Sequence, residues 1–370
     1  MQRMDRSQFF DRLAGIDEER LKKALWNLYW RGSKAMQERI EAELAPPSDR
    51  AKQPRATPVV PALLLDEVRE FVALVRSGAY LGGDRRVSPR ERTTWRLTFQ
   101  RLAGDAQAAL QTRDIEKADR FDDAAAAMEL LIDLACEMKD HEYVRSEDPV
   151  AAARFVVSDA AALLWSKYQD QYGFAGLAQR AAPQLIRWES RYGWTRHGGP
   201  VGEREIGLAE LAARMVPALD GWVTFTDAYL DVLDQYATVG RPDERRSRGF
   251  GSFATDYPRR RRAEELAAWH HMVLDRLADS DADDRLDRLV DHSALAGPEV
   301  VFLRARLAQS RADEAQAREL MSEALRELPG HTDFLAFAEE IGAPLPPRAR
   351  EITAERAHVE NLINGAVRPS

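Results

Sequence analysis

Cysteine is almost absent from the sequence: Cys136 is the only one among 370 residues, so no disulfide can form within the chain. Disulfides are rare in the cytoplasm because that compartment is reducing. Long apolar runs are also missing, since residues 56–65, the longest uncharged stretch near the start, contain two prolines and are too short to cross a membrane. The first residues lead into no apolar segment typical of a secretory signal. We therefore expect a cytoplasmic protein with no membrane partner.

Sequence motifs of common active sites are missing as well. The chain has no Gly-x-Ser-x-Gly element, no Walker-type phosphate loop and no histidine pair spaced for zinc. Residues 279–283 have the opening spacing of a calcium loop, but Asp284 stands where that loop needs glycine. The adjacent His270 and His271 point about 100° apart on a helix and have no evident third ligand. We predict no catalytic residues, no metal and no cofactor; the alternative is an enzyme whose site is assembled from distant helices.

The overall composition is that of an ordinary folded protein. Hydrophobic residues make up 45% of the chain, and eight tryptophans and thirteen phenylalanines can bury a sizeable core. The 61 acidic residues outnumber the 53 basic ones, which gives a net charge of −8. This balance argues against a general nucleic-acid binder but permits local basic patches.

Helix-forming residues and helical spacing dominate the chain. Ala, Leu, Arg and Glu are abundant, and Leu64, Val68 and Phe71 are spaced as on the buried face of a helix. The sequence Ser-Pro-Arg-Glu at 88–91 predicts a helix start, because its first and last side chains can each accept the other's backbone N–H. No segment alternates apolar and polar residues as a half-buried strand does. We predict an all-α protein with an α-solenoid-like body of stacked short helices.

Proline and glycine divide the predicted helices into segments. Proline lacks the N–H that a helix interior needs, so the Pro46–Pro54 stretch predicts a linker. A second break, rich in glycine and arginine, is long enough to be functional or disordered. The predicted segments are an N-terminal helical module at 1–44, a linker at 45–60, a helical body at 61–236, an arginine- and glycine-rich loop at 237–258, helical repeats at 259–345 and a C-terminal tail at 346–370.

Residues 297–329 are predicted to form a pair of helices. The positions that carry the pattern are Leu307, Ala308, Leu320, Leu325 and the closing Pro329. The stretch resembles a tetratricopeptide repeat, with Leu307-Ala308 in place of that family's Leu-Gly pair and without the aromatic residue that follows it. Ala315 or Ala317 would be the small residue at the tight helix crossing. The resemblance covers about a tenth of the chain and implies a stacked helical hairpin and, by analogy, protein binding.

Two arginine-rich windows stand out from the acidic background. Residues 85–101 hold six arginines and one glutamate, and residues 241–262 hold eight arginines and three acids. Arginine suits bidentate contact with phosphate or carboxylate. The alternative is that these arginines pair with acidic helices of the chain itself or of a partner. The candidate anion- or nucleic-acid-binding residues are Arg85, Arg86, Arg90, Arg245, Arg246, Arg248, Arg259, Arg260, Arg261 and Arg262.

Two tryptophans of the N-terminal module share one helix face. Trp26 and Trp30 are four residues apart, and Arg31 follows them. Packing in a core is the default role for such a pair. A module of about forty residues can hide little surface, however, so the alternative is that the pair docks on a partner. The candidate partner-binding residues are therefore Trp26, Trp30 and Arg31.

Together these features favour a non-enzymatic helical-repeat scaffold or adaptor that binds another protein. The alternative is a nucleic-acid- or phosphate-associated protein that uses the two arginine windows. The sequence carries no prediction of homo-oligomerisation.

Overall fold

The structure is a computed structural model that describes residues 17–31, 59–82, 84–112, 118–216, 218–239, 253–278, 280 and 283–366. Within these ranges the chain is helical and contains no β-strand, which confirms the predicted all-α class. None of the described helices is long and apolar enough to span a membrane. The helices are α1 (Glu18–Arg31), α2 (Pro61–Arg76), α3 (Pro89–Gln111), α4 (Ala118–Glu137), α5 (Pro149–Ala153), α6 (Val157–Trp188), α7 (Leu208–Met215), α8 (Leu219–Val239), α9 (Phe253–Glu265), α10 (Ala267–Leu277), α11 (Asp283–Val290), α12 (Pro298–Ser310), α13 (Glu314–Glu327), α14 (Thr332–Glu340) and α15 (Pro347–Ala366).

The chain divides into two compact units, Met1–Val59 and Val60–Ser370. Helix α1 belongs to the first unit, and α2 to α15 belong to the second. The division falls at the end of the predicted linker, most of which lies outside the described residues. The second unit spans both the predicted helical body and the predicted repeats.

Local capping chemistry fixes two helix starts in the second unit. At the start of α3, the Ser88 N–H donates to Glu91 Oε2 at 2.7 Å, and the Glu91 N–H donates to Ser88 Oγ at 3.3 Å. This reciprocal pair is the predicted capping box, and Pro89 occupies the first turn. At the start of α5, Asp148 Oδ1 accepts the Ala151 N–H at 3.1 Å. Both caps satisfy backbone donors that have no partner within the helix.

Replacing Ser88 with alanine should lower the free energy of unfolding by about 1 kcal/mol, since the variant loses the acceptor for the Glu91 N–H. Urea denaturation followed by circular dichroism measures this change. Thr112→Ala is the matched control on the same helix, because the Thr112 hydroxyl donates to the Ala108 carbonyl within the last turn. A loss as large in the control as in Ser88→Ala would contradict the capping assignment.

Packing in the second unit follows chain order closely. Helix α2 contacts α3 and α4, α4 contacts α6, and α6 contacts α7 and α8. Helix α10 joins α8 to α11 and α12, while α13 contacts α12, α14 and α15. Large aromatic side chains fill the interfaces: Trp165, Trp188, Trp269, Tyr229, Phe99, Phe121, Phe225 and Phe334 are each less than 2% exposed. Burial of such surfaces supplies most of the driving force for folding.

The predicted helical pair at 297–329 consists of α12 and α13, which pack on each other. Leu307 and Ala308 are buried at the end of α12. Of the two candidates for the small residue, Ala317 is fully buried, whereas Ala315 is exposed. Phe334 of α14 is buried in the same cluster, so the hairpin continues into the next helix.

The helix boundaries add detail to the predicted segments. Helix α8 continues to Val239 and α9 begins at Phe253, so the stretch 237–258 is partly helical. Helix α6 runs through Gly173, whose φ of 69° and ψ of −177° interrupt it; only glycine adopts this conformation without strain. Most of the predicted tail at 346–370 is helix α15.

Candidate functional site

Helix α1 presents an exposed aromatic face. Trp26 is 57% exposed and Trp30 is 70% exposed. The two indole rings stack with their centroids 5.7 Å apart, and Tyr29 stacks on Trp26 at the same distance. The pair therefore does not pack in a core, which was the default interpretation. The side chain of Arg31, the third predicted partner-binding residue, lies outside the described residues.

Cationic side chains accompany these aromatic rings. With 3.6 residues per turn, Lys22 and Lys23 lie on the same side of α1 as the two tryptophans, whereas Leu21 lies on a separate side. Lys22 is paired with Glu19 at 3.3 Å and remains 61% exposed. We call the surface of Lys22, Lys23, Trp26 and Trp30 the α1 aromatic face.

Arginines of the first window are partly engaged within the chain. Arg86 pairs with Asp84 at 2.6 Å, and Arg101 pairs with Glu67. Arg85 and Arg90 are exposed and form no ion pair with any residue that the structure describes. The predicted anion-binding set in this window is thus reduced to two unpaired side chains, Arg85 and Arg90.

The run Arg259–Arg262 of the second window is held by internal contacts. The contacts are Arg259 with Asp256 at 3.1 Å, Arg260 with Glu327 at 3.0 Å, Arg261 with Asp140, and Arg262 Nη1 with the Ala294 carbonyl at 2.7 Å. These contacts favour the interpretation that the arginines pair within their own chain. The other candidates, Arg245, Arg246 and Arg248, lie outside the described residues.

Of the histidine and cysteine candidates for chemistry, His270 is buried, and His271 and Cys136 are half-buried. The Tyr229 hydroxyl lies 2.6 Å from His270 Nε2, and burial lowers the pKa of both His270 and His271 to about 3. Burial also raises the pKa of the Cys136 thiol, which disfavours the reactive thiolate. Among the described residues no group of three His, Cys, Asp or Glu side chains could hold a metal ion. Asp279 and Asp281 of the calcium-like spacing lie outside those residues.

A cavity of about 390 Å³ lies between the end of α4, the end of α6 and α9, and no sequence pattern predicts it. Its apolar lining includes Tyr236, which is 36% exposed, and the nearly fully buried Trp188 and Trp194. Charged groups of both signs line the rest: Asp133, Glu137, Lys139, Asp140, Arg187, Glu189, Arg261, Arg262 and Glu265. We call this space the central cavity.

A polar network beside the central cavity joins distant segments of the second unit. Lys139 Nζ donates to Glu265 at 2.9 Å, and the other oxygen of Glu265 accepts the Arg191 N–H at 2.7 Å. The Arg191 guanidinium pairs with Glu299 at 2.5 Å and contacts His331. Burial raises the pKa of Glu299. This network ties the predicted helical body to the predicted repeats, so the two regions form one unit.

Glu189 is the most strongly perturbed carboxyl group near the cavity. It is 8% exposed and accepts backbone N–H groups from Ser190 at 2.9 Å and from Ala209 at the start of α7. Burial raises the pKa of Glu189 to about 7, although both N–H contacts act in the opposite direction. Perturbed acids gather at functional sites but also at structural ones. Glu189 accepts a backbone N–H at the start of α7, so we interpret its role as structural.

Comparison with known proteins found no matching family model, no matching curated protein and no matching solved structure.

Proposed function

We propose that the protein is a non-enzymatic helical-repeat scaffold or adaptor of the cytoplasm that binds another protein. The observation that carries this proposal is the α1 aromatic face, where two stacked tryptophans are exposed by more than half. Tryptophan is enriched among the residues that dominate binding energy at protein interfaces. A large exposed aromatic pair is costly in water unless a partner covers it.

The partner surface that fits the α1 aromatic face is acidic with apolar pockets. Lys22 and Lys23 flank the tryptophans, and rim cations of this kind steer a negatively charged partner.

The second unit supports the scaffold part of the proposal. Its helices contact their neighbours in chain order, and α12 and α13 form a helical pair, as expected of a tetratricopeptide-like solenoid.

The nucleic-acid alternative has less support. Arg259, Arg260 and Arg261 are each paired with a carboxylate of the chain, so contact with phosphate would have to displace those partners. Arg85 and Arg90 remain exposed and could contact phosphate. Among the candidates that the structure describes, these two supply little of the salt-dependent affinity that phosphate contacts provide.

The double variant Trp26→Ala/Trp30→Ala should bind the partner protein much more weakly. Each truncated anchor is worth about 2 kcal/mol or more, so the combined loss of affinity should exceed about a hundredfold. The measurement is a pull-down with the tagged full chain, with and without nuclease, followed by mass spectrometry and titration of the protein recovered. Tyr257→Ala is the control, since Tyr257 is 65% exposed but lies outside the α1 aromatic face.

Two outcomes of this experiment would count against the proposal. In the first, the double variant retains the same partner with unchanged affinity. In the second, nuclease removes the captured material and Arg85→Ala/Arg90→Ala prevents its capture, which would establish the nucleic-acid alternative.

A further inference from the structure

The central cavity has the size of a small-molecule site. Its volume of about 390 Å³ lies within the roughly 300–1,000 Å³ that ligand pockets occupy. Ligand pockets are usually lined mostly by apolar groups, whereas nine charged side chains line this one. The charged groups therefore determine which ligand the cavity accepts.

The carboxylates that line the central cavity already have partners. Asp133 pairs with Arg187 at 2.7 Å, Glu137 with Arg76 at 2.6 Å, Asp140 with Arg261, and Glu265 with Lys139 at 2.9 Å, while Glu189 accepts two backbone N–H groups. A positively charged ligand would have to compete with these cations. The negative groups of the cavity thus offer little to a cation from outside.

Arg262 is different, because it lines the cavity without a carboxylate partner among the described residues. It is partly buried, and its guanidinium makes one hydrogen bond there, from Nη1 to the Ala294 carbonyl at 2.7 Å. The carbon of the guanidinium lies 4.4 Å from the centre of the Tyr236 ring. Burial lowers the pKa of Arg262, as expected of a desolvated cation whose charge is not balanced. An anion placed beside Arg262 would supply the missing charge.

We propose that the central cavity binds a small organic monocarboxylate, whose carboxylate pairs with Arg262 and whose apolar body packs against Tyr236. A guanidinium offers parallel N–H groups that match a carboxylate. The five carboxyl groups that share the cavity would repel a phosphate group more strongly than a monocarboxylate, because phosphate carries the higher charge. This site lies in the second unit and does not depend on the α1 aromatic face.

Benzoate is the ligand for the test, because it combines one carboxylate with a planar apolar ring. Binding to the full-length protein is measured by quenching of tryptophan fluorescence and by isothermal titration calorimetry. Benzamide has the same shape without the charge, benzylamine reverses the charge, and inorganic phosphate lacks the ring. We expect benzoate to bind at least about tenfold more tightly than each of the other three compounds, since a charged hydrogen bond contributes about 1.5–3 kcal/mol.

Arg262→Gln should weaken benzoate binding by about tenfold to a hundredfold. Arg260→Gln is the matched control, because Arg260 lies two residues away, pairs with Glu327 and does not line the cavity. Equal binding of benzoate and benzamide by the wild-type protein would overturn the proposal without any variant. Unchanged benzoate affinity in a folded Arg262→Gln protein would also overturn it, as would preferential binding of benzylamine or phosphate.

Discussion

Acidification from pH 6.5 to pH 4.5 should lower the free energy of unfolding by about 2–3 kcal/mol for each of His270 and His271. The expected slope is about 1.4 kcal/mol per pH unit for each histidine. Burial lowers the pKa of both imidazoles from 6.5 to about 3, so the folded state keeps them neutral where the unfolded state takes up protons. A depressed pKa of this kind makes stability fall as the pH falls from 6.5 toward 3. The contribution is fully present above pH 6.5.

The contacts of the two histidines explain why protonation is costly. His270 is 3% exposed, and a neutral Nε2 can accept the Tyr229 hydroxyl, whereas a protonated one cannot. His271 Nδ1 is buried without a hydrogen-bond partner, and its ring packs edge-on against Phe302 at 5.0 Å. A second proton on either ring would place an unpaired charge in the interior.

The measurement compares the pH dependence of urea unfolding in variants, since other groups titrate in the same range. Glu189, whose pKa is raised from 4.5 to about 7, contributes with the opposite sign and favours the folded state as the pH falls between those values. His270→Gln and His271→Leu should each make stability less sensitive to acid by about 1.4 kcal/mol per pH unit between pH 6.5 and pH 4.5. Thr112→Ala, which removes no ionisable group, should leave the slope unchanged. If both buried variants keep the wild-type slope, the two imidazoles are protonated in the folded state.

Features decided within a few residues could be predicted from the sequence. The capping box of Ser88 and Glu91 needs only neighbours three positions away, and it forms as expected. The all-α class could be predicted for the same reason, because helix-forming residues and helical spacing recur along the chain. The bounds of α8 and α9 were less predictable, because Val239 and Phe253 lie inside the stretch 237–258 whose glycine and arginine content predicts a loop.

The central cavity and its network could not be predicted, because their residues are far apart in sequence. Lys139 and Glu265 are separated by 126 residues, and Arg191 and Glu299 by 108. In a chain with 61 acidic residues, no spacing marks out the few that meet a particular cation. The arginine run at 259–262 shows the same limit: composition revealed the cluster, but the fold determines which carboxylate each side chain meets.

Arg191→Ala should lower the free energy of unfolding by about 3 kcal/mol at pH 7, because it leaves a buried carboxylate without its cation. The Glu299 side chain is 8% exposed and lies 2.5 Å from the guanidinium, which is 24% exposed. His331 is the remaining group near Glu299, at 3.5 Å. Breaking a buried pair from one side costs more than the pair itself contributes, since the unpaired charge stays desolvated. Urea denaturation gives the loss.

A double-mutant cycle separates this desolvation from ordinary packing loss. In the Glu299→Gln background, Arg191→Ala should cost about 1 kcal/mol, because no buried charge is left behind. The loss in the single variant should also shrink as the pH falls, since Glu299, whose pKa burial already raises, can then become neutral. Arg214→Ala removes the exposed pair with Glu210 and should cost at most about 0.5 kcal/mol. An equal cost of Arg191→Ala in both backgrounds would mean that Glu299 is not held by Arg191, and that the network does not join the two halves of the second unit through this pair.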